Sequence, residues 1–170
     1  LSIDSRHNSS YPSSGLLNAN GVTFINSGNT DAWIMYDGYY HTSSVTEYPA
    51  GGTLSNSTFG EIFIYFEAYT NPVITNSVIS SGDNSGTAFA IDEGGEPSIT
   101  ENIIMGYENA INIIDNSQPT ISHNDFCDLL NGVINNGDSL VIAINNYWGD
   151  PSGPKNTSNP GGLGCNVSDN

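Results

Sequence analysis

The sequence predicts an all-β fold, a single-stranded right-handed parallel β-helix (a solenoid) of about six to seven rungs of ~22 residues. Three observations carry that expectation. One phrase recurs: Pro97-Ser98-Ile99-Thr100-Glu101-Asn102-Ile103-Ile104, then Pro119-Thr120-Ile121-Ser122-His123-Asn124-Asp125-Phe126, then Val141-Ile142-Ala143-Ile144-Asn145-Asn146-Tyr147. Its Ile/Asn pairs are Ile99/Asn102, Ile121/Asn124 and Ile142/Asn145, spaced by 22 and then 21 residues. A second phrase is offset from the first and repeats every 22 residues, starting at Ala88, Ala110 and Gly132. The third observation is length. The Ile-, Val-, Phe- and Thr-rich runs span only about four to six residues between Asn, Gly, Ser, Asp or Pro, which suits short strands and not helices.

In chain order, residues 1–14 form a polar N-terminal arm and 15–147 the solenoid. Ala32–Asp37 and Ile62–Glu67 are early copies of the second phrase, joined by a longer connection. That connection, 38–52, is a Tyr-rich insertion, and long loops on solenoids lie on binding faces. Thr53–Phe59 and Pro72–Ile79 are weaker copies of the first phrase, and 148–170 is a capping tail.

Strands of successive rungs stack at ~4.8 Å, so equivalent side chains form columns. Ile74, Ile99, Ile121 and Ile142 are expected to form one inward column. Val78 or Ile79, Ile104, Phe126 and Tyr147 continue the interior. Asn102, Asn124 and Asn145, with Ser77 at the matching earlier position, are expected to form an Asn ladder. Each would take a left-handed turn conformation and hydrogen-bond to its neighbours above and below.

Two Lys/Arg against 18 acidic residues give a net charge of −16, which excludes nucleic acid as a partner because phosphate binding needs clustered cations. No apolar stretch reaches the ~18 residues that a membrane helix needs. No signal peptide is visible, so the expectation is a mature, extracellular form acting at the cell surface. Cys127 and Cys165 fit a disulfide closing a 38-residue loop, adding ~3–4 kcal/mol on the chain-entropy model; two separate thiols are the alternative. Sequons at Asn8, Asn56, Asn156 and Asn166 are glycosylation candidates.

The chain resembles the pectate-lyase-like right-handed parallel β-helix repeat proteins, in particular secreted or surface-anchored proteins of archaeal or bacterial type. Asn145-Asn146-Tyr147-Trp148-Gly149-Asp150-Pro151-Ser152-Gly153-Pro154, with Asn159–Gly164 and Val167–Asn170, is similar to their terminal-rung signature. In that family the segment runs on into another apolar strand, so a processed product or a piece of a longer protein is expected here.

The resemblance implies polysaccharide lyases and hydrolases as possible activities. A lyase takes an Arg or Lys base on a repeat strand with Ca²⁺. Here Arg6 lies in the arm and Lys155 in the tail, so the sequence leans away from an enzyme. Asp37, Glu67, Glu93 and Asp115 each fall five residues after the start of a second phrase and would stack into an acidic column. Such a column is either a solvated edge or a Ca²⁺ site. No cofactor is required, and Ca²⁺ is the one candidate. The loops 81–86 and 93–96 match no calcium-repeat spacing, and His7, His41 and His123 are scattered.

Tyr39, Tyr40 and Tyr48 of the insertion, with Phe63 and Tyr65 on the neighbouring strand, are expected to cover each other or to form an assembly or glycan surface. The expected function is a non-enzymatic extracellular structural protein of the cell surface: a layer, sheath, filament or adhesin building block. It would self-assemble with copies of itself or with other surface proteins. The alternative is a carbohydrate-binding or carbohydrate-active β-helix module.

Overall fold

The computed structural model describes residues 2–4, 15–26, 32–41, 46–48 and 50–169, with 2–4, 39–41 and 46–48 described by their backbone alone. Strand β1 (Ser2–Asp4) precedes a first turn made of β2 (Ala19–Asn20), β3 (Thr23–Ile25) and β4 (Ala32–Asp37). The expected insertion contains an antiparallel hairpin, β5 (Tyr39–His41) and β6 (Thr46–Tyr48), pairing Tyr39 with Tyr48. Four regular turns follow. They are β7 (Thr53–Ser55), β8 (Thr58–Gly60) and β9 (Ile62–Phe66); β10 (Val73–Thr75), β11 (Val78–Ser80) and β12 (Thr87–Ile91); β13 (Ser98–Thr100), β14 (Ile103–Met105) and β15 (Asn109–Ile113); and β16 (Thr120–Ser122), β17 (Asp125–Cys127) and β18 (Asn131–Asn135). An incomplete last turn holds β19 (Ile142–Ile144) and β20 (Asn166–Val167).

These strands build three parallel sheets: a seven-stranded one (β1-β4-β9-β12-β15-β18-β20), a six-stranded one (β19-β16-β13-β10-β7-β2) and a five-stranded one (β17-β14-β11-β8-β3). The protein is therefore an all-β parallel solenoid of about four regular turns, fewer than the six to seven rungs expected from length. The difference lies in the long insertion and in the tail, which spend residues without adding a regular turn.

Alternation explains the core. In β10, Ile74 points in while Val73 and Thr75 point out, and Ile99, Ile121 and Leu54 repeat the pattern in register. All four are fully buried, each worth ~1.5–3 kcal/mol relative to exposure. A second column runs Phe24, Phe59, Ile79, Ile104 and Phe126. Its ends are aromatic stacks: Phe24 lies 5.3 Å from Phe59, and Trp148 4.8 Å from Phe126. The residue that continues this column is thus Trp148. Tyr147, expected inside, is exposed, because it pairs with Asp125, an outer-facing neighbour of Phe126.

The same one-residue correction applies to the last copy of the repeat. Ile121 pairs with Ala143, while Ile142 pairs with Thr120 and is 60% exposed. The polar ladder is Ser57, Ser77, Asn102, Asn124 and Asn146; Asn145 is not in it. The Asn102 amide N–H donates to Asn124 Oδ1 (3.0 Å), and the Asn124 N–H to Asn146 Oδ1 (2.9 Å). Towards the N-terminal end, Ser77 N–H donates to Asn102 Oδ1 (3.0 Å) and Ser57 N–H to Ser77 Oγ (3.1 Å).

The left-handed conformation belongs to the residue before each ladder position: Asn56, Asn76, Glu101, His123 and Asn145, with φ between 49° and 60°. Turning the corner there leaves the next N–H without a backbone partner, and the side chain one turn on accepts it. From Asn102 to Asn124 to Asn146 the ladder repeats every 22 residues, in place of the expected 22 and then 21, whereas Ser57, Ser77 and Asn102 are 20 and 25 residues apart. The matching Ile142/Asn145 pair lay one residue out of register.

The tail folds onto the C-terminal end. Trp148 fills the lumen, and the Trp148 carbonyl accepts the Cys165 N–H at 2.9 Å. Asp150 Oδ1 accepts from the Ser152 N–H (2.8 Å) and hydroxyl (2.6 Å), closing the turn before Gly153, which sits at φ 85°. Asn159 Nδ2 donates to the carbonyls of Ser152 (2.9 Å) and Pro154 (2.8 Å). The chain then returns to the seven-stranded sheet, where Asn166 and Val167 pair with Asn131 and Val133.

Candidate functional site

An aromatic strip marks the outer face of the seven-stranded sheet near its N-terminal end. In β9 the inward residues are Ile62, Ile64 and Phe66, so Phe63 and Tyr65 face out. β4 pairs Trp33 with Phe63 and Met35 with Tyr65. Trp33 meets Phe63 edge-on, with ring centroids 4.8 Å apart, and Phe63 lies 6.1 Å from Tyr65. The Tyr65 hydroxyl donates to Asp92 Oδ2 at 3.2 Å, which lays the ring across β12 and shields its paired neighbour Ala90. Burial first, then the Asp92 charge and hydrogen bond and the charges of Glu67 and Glu93, raise the Tyr65 pKa far above its ordinary value. The strip therefore joins apolar ring faces to a carboxylate hydrogen-bond acceptor.

Of the residues expected on this surface, Phe63 and Tyr65 are in the strip, whereas the side chains of Tyr39, Tyr40 and Tyr48 lie outside the described residues. In the sequence Asp92 is not distinguished from the adjacent Glu93, which falls at the five-residue spacing. The signal was the hydrogen-bonded register, invisible without the neighbouring turn.

The expected acidic column is split. Asp37 and Glu67 stand in register, since the Glu67 N–H bonds the Tyr36 carbonyl at 2.9 Å. The next member is Asp92, whose N–H bonds the Phe66 carbonyl at 2.8 Å, and Ile114 follows it. Glu93 and Asp115 fall one residue further on, exposed and left-handed at φ 49° and 53°. The cause is a shift between β9 and β12: Ile64 pairs with Phe89, so Thr87 and not Ala88 stands opposite Ile62. Asp37 is buried, and Asp92 Oδ1 already accepts the Glu93 N–H at 2.7 Å. Among the described residues no three His, Cys, Asp or Glu side chains converge to hold a metal ion.

The loop 81–86 uses its acids internally. Glu61 Oε1 accepts the Gly82 N–H (2.7 Å), and Asp83 accepts from the hydroxyls of Ser85 and Ser81, both at 2.8 Å. Those bonds hold the Asp83 carboxyl below its ordinary pKa. An open groove of about 660 Å³ lies beside this loop, with Met105, Tyr107 and Leu130 among its lining and Glu108 and Asp128 at its rim. Tyr107 is itself buried, its hydroxyl reaching the carbonyls of Ile62 (3.0 Å) and Ser80 (3.2 Å).

The two cysteines are free thiols. Phe126 points inward and its neighbour Cys127 points out, donating to Asp125 Oδ1 at 3.0 Å. Cys165 packs against the core from the tail, beside Gly132 and Trp148. Burial pushes the thiols up to about 12 for Cys127, helped by Asp125, and about 11 for Cys165.

Among the sequons, Asn8 lies outside the described residues and Asn56 is exposed at a corner, its Nδ2 donating to Asn20 Oδ1 at 2.8 Å. Asn156 is half-buried, its Oδ1 accepting the Asn159 N–H at 2.8 Å. Asn166 Nδ2 donates to the Leu130 carbonyl at 2.9 Å and to Asn131 Oδ1 at 3.3 Å. The latter bond extends a second ladder, in which Asn131 donates to Asn109 (2.8 Å) and Asn109 to Thr87 (3.3 Å). His123 occupies an exposed left-handed corner, Lys155 lies in the tail, and Arg6 and His7 lie outside the described residues.

No helix among the described residues is long and apolar enough to cross a membrane. No family model, no curated protein and no solved structure matches the chain. What the fold defines is a class, the parallel β-solenoid, with an aromatic and acidic outer face.

Proposed function

We propose that this protein is a non-enzymatic structural element of the cell surface, an extracellular solenoid that self-assembles into a layer, sheath, filament or adhesin. One observation carries the reading: where large apolar side chains are exposed. Eight of the ten exposed ones among the described residues lie at the two ends. Leu16, Ile25 and Trp33 belong to the first turn, and Leu140, Ile142, Ile144, Tyr147 and Leu163 to the last turn and tail; only Ile103 and Leu130 fall between. Among the described residues β1, β2 and β3 end their sheets on one side and β19 ends its sheet on the other, and such strand edges are a template for pairing. Burying apolar surface there yields ~25 cal/mol per Å².

Secretion, glycosylation at the exposed Asn56, and kinship with pectate-lyase-like repeat proteins belong to the same proposal. The acidic charge, the sequons and the tail signature support them. Sedimentation and electron microscopy of purified protein over a wide range of concentration and salt test the reading. Rods, rings or sheets are the expected result, and a monomer under every condition overturns it.

A second reading, carbohydrate binding without cleavage, is favoured by the Trp33–Phe63–Tyr65 strip beside Asp92. Ca²⁺ bound at the acidic edge would belong to this reading. Screening neutral and uronate glycans against Trp33→Ala tests it; binding unaffected by the substitution removes the strip from consideration.

A further inference from the structure

Resting on the proposed self-assembly, we infer that the assembly is polar and head-to-tail. The N-terminal end of one copy, edged by β1, β2 and β3, seats on the C-terminal end of a second copy, edged by β19, β20 and Tyr147. Among the described residues the three parallel sheets end on β1, β2 and β3 at one end; at the other, β19 ends its sheet, while β20 is flanked on its far side by the tail at Lys155. Each turn of the solenoid lies on the next with its chain circulating in the same sense, and every strand pair between turns is parallel. A second copy continues that sense only when unlike ends meet. Two like ends placed face to face circulate in opposite directions, and parallel pairing around the wall is lost.

The interior agrees with unlike ends. One inward column terminates on Ala19 at the N-terminal end and on Ala143 at the other. The next terminates on Phe24 and on Trp148, both half-buried aromatic rings stacked on the column beneath them. Unlike ends therefore set alanine opposite alanine and ring opposite ring. A cavity of about 230 Å³ at the C-terminal end has Val133, Val141, Ala143, Trp148 and Val167 on one part of its wall and Asn135, Asn156 and Ser168 on another, and leaves room for a side chain of mixed polarity from the next copy. On the outer face of the last turn stand Ile142 and Ile144, 60% and 56% exposed; Leu16 and Ile25, 69% and 65% exposed, belong to the first turn.

Such a heterologous contact does not close on itself unless the subunits curve into a ring, so it propagates. With a charge of −16 on every copy, the ends approach against long-range repulsion, and added salt favours assembly by screening it.

Two blocked variants test the polarity. Leu16→Glu/Ile25→Glu carries charge at the N-terminal end, and Ile142→Glu/Ile144→Glu at the C-terminal end. All four positions are exposed, and circular dichroism with thermal melting checks that each variant keeps the fold. Trp33→Glu and Leu140→Glu serve as a second pair. In sedimentation at high salt, each variant alone is expected to lose all species above monomer, and an equimolar mixture to form a 1:1 dimer and stop there.

Homodimers of either variant alone, or a mixture that stays monomeric while the unmodified protein assembles, overturn the head-to-tail arrangement. A monomeric unmodified protein under all conditions instead overturns the self-assembly on which it rests.

Discussion

Replacing Asn124 with alanine tests the ladder most directly. The Asn124 side chain is buried and makes four hydrogen bonds. Oδ1 accepts from the Asn102 N–H (3.0 Å) and Nδ2 (3.2 Å); Nδ2 donates to the Ile99 carbonyl (2.8 Å) and Asn146 Oδ1 (3.1 Å). Alanine strands the buried Asn102 N–H and removes one of the donors to the Ile99 carbonyl, which the Thr100–Ser122 register also sets against the Ser122 N–H. At ~1–3 kcal/mol for the unsatisfied N–H and ~0.5–1.5 kcal/mol for a further lost bond, the loss is about 1.5–4.5 kcal/mol, a large share of a typical domain's ~5–15 kcal/mol.

Asn124→Ser restores one acceptor, as Ser77 does for the Ser57 N–H at 3.1 Å, and is expected to recover part of the loss. Asn145→Gly is the control: its left-handed φ of 57° suits glycine, and its side chain is outside the ladder, so stability is expected to change by under ~1 kcal/mol. Urea unfolding followed by circular dichroism gives the three values. Equal losses at Asn124 and Asn145, or no recovery with serine, refute the reasoning.

Four further outcomes are expected. Tyr36 is fully buried with no hydrogen-bond partner for its hydroxyl among the described residues, so Tyr36→Phe should leave stability unchanged or raise it in the same assay; a clear loss contradicts this. Phe126→Ala should cost ~3–5 kcal/mol, because the ring is buried between Ile104 and the stacked Trp148; tryptophan fluorescence should shift to the red as Trp148 loosens. Both thiols should resist alkylation at pH 8 in the native protein, with pKa values of about 12 and 11, and react after denaturation; an intramolecular disulfide found by mass spectrometry contradicts this. Hydrogen bonds from Ser85, Ser152 and Thr157 lower the pKa of the exposed Asp83, Asp150 and Asp169. Their stabilisation is present above the unfolded value of ~3.9 and is lost as pH falls through the folded values, so melting temperature should drop on acidification below about pH 4; a rise there refutes the assignment.

Much of the architecture was legible in the sequence. A period of 22, alternating Ile positions and Asn/Gly corners are written locally in every turn, and stacking only repeats them. The outward pair Phe63 and Tyr65 follows from alternation as well. The partner of Tyr65 was not legible, because Asp92 and Glu93 are adjacent, chemically alike, and separated only by register.

The sequence by itself determined that the chain folds as a parallel solenoid and which residues of its regular turns face inward, because strand alternation is a property of the chain. The tertiary structure decided that Asn146 completes the ladder and that Asp92 and not Glu93 joins Glu67. In each case a single residue of register moves a side chain to the opposite face of the wall. Register is fixed by the turn above and the turn below, not by the residue itself.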